Sequence, residues 1–138
     1  NMSRSWMWAA KHLGFHFAVA APEACRPAED FMNRLQAPNV TLTTDPAEAA
    51  RGAHVVNTDV WLSMGQEDQK AKEALFGAYQ VNDELMANTA EGALVLHCLP
   101  AYRGKEITEE VLEAHADTIF QQAENRLHAQ KAVLATLA

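Results

Sequence analysis

Short β-branched or apolar runs alternate with helical runs along nearly the whole chain, and no other feature restricts the fold so tightly. "MSRSWMWAAKHL" (2–13) carries apolar residues at helical spacing and stops at Gly14. "FHFAVAAP" (15–22) reads as a strand ended by Pro22, "PAEDFMNRLQA" (27–37) as a helix and "VTLTT" (40–44) as a strand. In "DPAEAARG" (45–52) Asp45 caps a short helix, Pro46 opens it, Glu48 completes a capping box and Gly52 stops it. "HVVNTD" (54–59) is the next strand and "WLSMGQE" (61–67) a loop. Helices follow over 68–79 and 82–89, the second capped by Asn82. "ALVLHCL" (93–99) has the continuous apolarity of a strand covered on both faces. A helix over 108–116 capped by Thr108, a last strand over 118–122 and a terminal helix over 123–138 complete the pattern. Such alternation predicts an α/β fold, doubly wound and Rossmann-like, with a mainly parallel sheet and helices on both faces.

The chain has 138 residues, enough for one ordinary domain with a real core. Its net charge of −7 argues against a nucleic-acid partner, which calls for a basic patch. No apolar run approaches the roughly 20 residues that span a bilayer. Two cysteines make no disulfide framework, and a reducing cytoplasm is the expected setting. The opening "NMSRSW" enters a helix without an initiator methionine, which reads as a piece of a longer protein with its first strand missing.

In open parallel sheets ligands bind beyond the carboxyl ends of the strands. That rule selects Asp59, Ser63 and Met64 after one strand, Cys98, Leu99 and Pro100 after another, and Glu124, Asn125 and Arg126 after the last. Successive strand residues point to opposite faces, so adjacent His97 and Cys98 diverge and make a poor nucleophile–base pair. A metal needs further ligands, which the spacing does not offer, so no metal is expected. Pro100 is expected to hold Leu99 extended and leave the Cys98 and Leu99 carbonyls outward as acceptors for an amino group. Bland readings stand beside each of these. Cys98 is also a small buried hydrophobe, Asp59 a turn residue, Arg126 a solvated charge and Asn1 an N-cap.

"DVWLSMGQE" (59–67), "LHCLP" (96–100) and "QAENRLHAQKAVLA" (122–135) together resemble the ornithine carbamoyltransferases, over the whole chain and in order. The resemblance implies transfer of a carbamoyl group from carbamoyl phosphate to the δ-amine of L-ornithine, giving citrulline and phosphate, with no cofactor. Carried over by motif, Asn1, Asp59, Ser63 and Met64 would bind ornithine. Cys98 would be the proton acceptor beside the δ-amine. Cys98, Leu99 and Arg126 would contact carbamoyl phosphate. Residues 1–122 would form the ornithine-binding domain, and 123–138 a helix that packs on a carbamoyl-phosphate domain. That domain's Ser-Thr-Arg-Thr-Arg and His-Pro-x-Gln segments do not occur in this sequence, so the chain alone is expected to be inactive. The resemblance further implies a cytoplasmic homotrimer in arginine biosynthesis. Open alternatives are an amino-acid-binding or interaction module without catalysis, a carbamoyltransferase acting on another amine, and a thiol hydrolase using Cys98.

Overall fold

A computed structural model describes residues 1–61 and 69–138. It resolves into two compact units, Asn1–Arg51 and Gly52–Ala138.

In the first unit α1 (Met2–Leu13) runs into Gly14, whose φ of 79° is the left-handed turn that ends the helix without a Cβ clash. Strands β1 (Phe17–Ala20) and β2 (Val40–Thr43) pair in parallel, Phe17 opposite Val40. Helices α2 (Glu29–Leu35) and α3 (Pro46–Ala50) accompany them. The core is Met7, Phe31 and Leu35, with Phe17, Val19, Val40 and Leu42 packed against it. Asn39 staples the end of α1 to the turn before β2, its Nδ2 donating to the Ala10 and Phe15 carbonyls at 2.8 and 2.6 Å. Asp45 caps α3 as expected, accepting from the Ala47 and Glu48 N–H groups. The Glu48 carboxylate turns instead to the Thr43 hydroxyl, whose oxygen accepts the Asp45 N–H, so the capping box is replaced by this relay.

In the second unit β3 (Val55–Thr58) and β4 (Leu94–His97) are a second parallel pair, Val55 opposite Leu94 and Thr58 opposite His97. Between and after them lie α4 (Gln69–Phe76), α5 (Asp83–Met86), α6 (Glu109–Ala114) and α7 (Ala116–Leu137). Asn82 and Thr108 cap α5 and α6 by accepting from the Leu85 and Val111 N–H groups. The α/β class with parallel strands and surrounding helices is as the patterning implied, but among the described residues the strands form two two-stranded sheets.

One element is corrected. Residues 118–122 are not a strand. They continue α7, which runs unbroken from Ala116. Thr118, Ile119 and Phe120 have strand propensity, yet packing overrides it: Ile119 is fully buried against Val81, Val95, Ile107, Val111 and Leu112. No helix among the described residues is long and apolar enough to cross a membrane.

Ile119 is therefore the peg that seats α7 on its unit. Ile119→Ala should cost about 3 kcal/mol of unfolding free energy, read as a lower urea midpoint with the slope unchanged.

Candidate active site

The end of β4 is built around His97, a fully buried polar side chain. Parallel pairing points the Leu94 N–H at β3, where it donates to the His54 carbonyl at 2.9 Å. Alternation then turns the His97 N–H to the opposite edge. There it donates to Oε1 of Gln122 on α7 at 2.9 Å. The imidazole is held by two more bonds. Its Nδ1 accepts the Leu99 N–H at 2.9 Å, which places the ring proton on Nε2. Nε2–H donates to Glu106 Oε1 at 3.2 Å. Both ring nitrogens are thus occupied away from Cys98, and the divergence expected from strand alternation is what the bonds show.

Glu106 is also buried, 1 % exposed. Burial alone would raise its pKa. The hydrogen bond from His97 and the Tyr102 N–H donated at 2.6 Å outweigh that, and the carboxyl is held below the usual glutamate range. The same turn is tied to the chain after α4: Gln80 Nε2 donates to the Lys105 carbonyl at 2.7 Å, and the Val81 N–H to the Glu106 carbonyl at 2.9 Å. Nothing in "RGKEIT" (103–108) marks Glu106 as buried, because its burial depends on a histidine nine residues earlier. Gln122 lies inside a motif singled out from the sequence, but an exposed-looking glutamine carried no signal of its role.

The folded-back turn corrects the expectation for Leu99. Its φ is 55°, in the left-handed region, so Leu99 is not extended; the Leu99–Pro100 peptide is cis. The Leu99 N–H reaches back to the His97 ring, which draws the backbone into this conformation. Among the described residues no hydrogen bond takes up the Cys98 or Leu99 carbonyl.

Cys98 and Asp59 meet at the carboxyl ends of adjacent strands. The Cys98 Sγ–H donates to Asp59 Oδ1 at 3.1 Å, and the same oxygen accepts the Val60 N–H at 2.8 Å. Burial, the bond to Asp59 and that carboxylate's charge push the thiol up to about 11; its own backbone N–H and the charge of Arg126 pull the other way without reversing the shift. Cys98 is therefore a protonated donor. Asp59, Cys98 and Arg126 are brought into one electrostatic neighbourhood. Asn1 belongs to the first unit, where its Oδ1 accepts the Met2 N–H at 2.6 Å and caps α1. Ser63 and Met64 lie outside the described residues. Among the described residues no three His, Cys, Asp or Glu side chains gather as a metal would require.

A parallel α/β unit that brings a thiol and a carboxylate together at the carboxyl ends of adjacent strands has the build of a small-molecule-binding domain. Residues 1–137 match the family model for the aspartate/ornithine carbamoyltransferase Asp/Orn binding domain, and the chain belongs to that family. It is 65% identical over its full length to the ornithine carbamoyltransferase of Akkermansia muciniphila, of which it covers 46%. The corresponding enzyme of Syntrophotalea carbinolica is 49% identical over 99% of the chain and 46% of the relative. The crystal structure of the anabolic ornithine carbamoyltransferase from Campylobacter jejuni superposes with a TM-score of 0.94 at 38% identity, covering 99% of this chain and 48% of that one. The chain spans about half the length of the curated relatives it matches.

Two outcomes test the site's electrostatics. Asp59→Asn removes two of the three influences that raise the thiol, so alkylation of Cys98 at neutral pH should speed up by at least about tenfold, one pKa unit of thiolate. Peptide mapping separates Cys98 from the exposed Cys25. A carboxyl held low in the fold stabilises it above the unfolded value of about 4, and that contribution disappears as pH falls through the lower folded value. Glu106→Gln should therefore lower the melting temperature at pH 7 and flatten its fall below pH 4.

Proposed function

We propose that this chain is the ornithine-binding half of an ornithine carbamoyltransferase, transferring the carbamoyl group of carbamoyl phosphate to the δ-amine of L-ornithine. The observation that carries the reading is the Cys98–Asp59 contact at 3.1 Å in a chain of this family. Asp59 receives the α-amino group, with Asn1, Ser63 and Met64 completing the ornithine set. Cys98, Leu99 and Arg126 face carbamoyl phosphate. The Cys98 and Leu99 carbonyls, which take no hydrogen bond among the described residues, suit its –NH2 group, and a guanidinium suits its anionic oxygens.

Resting Cys98 holds its proton, and the reaction needs an acceptor for a proton from the δ-ammonium group. Ornithine itself supplies the change. Its α-ammonium group takes Asp59 as a partner, which removes the thiol's acceptor and cancels the carboxylate's field. The charge of Arg126 and of the nearby δ-ammonium then favour the thiolate. The thiol's proton leaves to solvent as the thiolate forms. Cys98 then takes one proton from the δ-ammonium group, and the neutral nitrogen attacks the carbonyl carbon. The C–O bond to phosphate breaks as the departing phosphate takes the proton that the new C–N nitrogen sheds. Coupling the thiol to substrate arrival keeps the base inactive until there is an amine to deprotonate.

The second half of α7, residues 123–138, is read as the surface that docks on a carbamoyl-phosphate domain. Leu127, Val133, Leu134 and Leu137 stand exposed along it, a heavy apolar load for a solvated helix. A cytoplasmic homotrimer serving arginine biosynthesis is the matching setting for the whole protein. The relative from Campylobacter jejuni, described as anabolic, supports the biosynthetic role by similarity.

Fusing the carbamoyl-phosphate-binding half of the Akkermansia muciniphila relative ahead of this chain should yield citrulline from ornithine and carbamoyl phosphate, where the 138-residue chain alone yields none. In that fusion Cys98→Ser should lower kcat by about 100-fold or more. A folded but inactive fusion, or a serine variant with full turnover, would refute the assignment.

A further inference from the structure

We propose that Gln122 is a positioning residue: by accepting the His97 N–H it fixes where Arg126, one helical turn farther along α7, stands relative to Cys98. This rests on the functional reading above and adds a residue that touches no substrate.

Three observations carry it. The first is the bond itself, 2.9 Å from the His97 N–H to Gln122 Oε1. Among the described residues β4 has a strand partner on one side only, so the glutamine amide stands where a neighbouring strand would accept on the other. The second is the burial profile of α7. Ile119 is fully buried and Gln122 half-buried, and every residue from Ala123 to Ala138 is exposed. Gln122 is thus the last side chain of α7 shielded within its unit, and the helix beyond it projects as an unsupported lever. The third is spacing. Ile119, Gln122 and Arg126 follow one another at three and four residues, which puts them on one helix face.

The donor end is equally constrained. His97 is clamped by Leu99 and Glu106 through its ring, so its backbone N–H cannot follow a displaced acceptor. One bond therefore joins the residue before Cys98 to the residue one turn before Arg126. Losing it leaves Ile119 to seat α7 but frees the rotation and tilt of the segment that carries Arg126. Any side chain with an acceptor oxygen at the same reach can serve, so glutamate should replace glutamine, and methionine of similar length should not.

The test uses this chain with Cys25→Ser, leaving Cys98 as its single thiol, and follows thiolate formation by ultraviolet absorbance against pH. Arg126→Met should raise the Cys98 titration by roughly half a pH unit, the loss of one nearby cation. Gln122→Met should raise it by a similar amount, and Gln122→Glu by clearly less than Gln122→Met. If Gln122→Met does not fold, judged by far-ultraviolet circular dichroism, Gln122→Ala takes its place. An unchanged titration in the folded Gln122 variant, or in Arg126→Met, overturns the proposal. In the active fusion, Gln122→Met should raise KM for carbamoyl phosphate about tenfold while KM for ornithine stays within about twofold. Equal effects on both would mark a merely structural residue and also overturn it. The titration needs no turnover, so failure of the carbamoyltransferase assignment would show in the fusion assay while the thiol measurement still decides the role of Gln122.

Discussion

A single buried imidazole organises the second unit. His97 sits at the end of β4 with no access to water, so all of its polar groups must be satisfied by the protein. Its N–H finds Gln122, its Nδ1 finds the Leu99 N–H and its Nε2 finds Glu106. Each bond recruits a different piece of chain: the terminal helix, the turn after the strand, and the segment leading to α6. The carboxylate it meets is buried too, and neither group would be tolerable there without the other. The pair fixes the backbone that presents Cys98 and Leu99.

From that fixed point the chemistry follows by adjacency. Cys98 is one residue beyond the clamp and faces the carboxylate that ends the neighbouring strand. Parallel pairing is what makes this possible, because it delivers two carboxyl ends to the same side. Arg126 comes to the same neighbourhood by another route, along a helix whose base is pinned by Ile119 and Gln122.

How much of this could be read from the residues depends on the range of the forces involved. Caps and stops are local and legible: Asp45–Pro46, Asn82, Thr108 and Gly14 act within a few residues and do as their chemistry demands. The meeting of Asp59 and Cys98 was also legible, since a parallel α/β order fixes which ends of the strands meet, whereas Arg126 was placed through a strand that is in fact helix. Residues 118–122 misled because propensity is a local statement, and burial of Ile119 in a distant cluster outweighed it. Pairing into two sheets was hidden for a similar reason, as partners are chosen across the chain. Glu106 and Leu99 were invisible because each takes its state from His97, through a turn whose backbone no periodicity announces.

The Cys98–Asp59 hydrogen bond has a consequence beyond proton transfer. Sulfur is attacked by peroxides and electrophiles as the anion, and a sulfur kept as S–H against a carboxylate is chemically quiet. The Cys98 sulfur is thus held in its less reactive form. Any group that drew the Asp59 carboxylate away from Cys98 would also open the sulfur to oxidation.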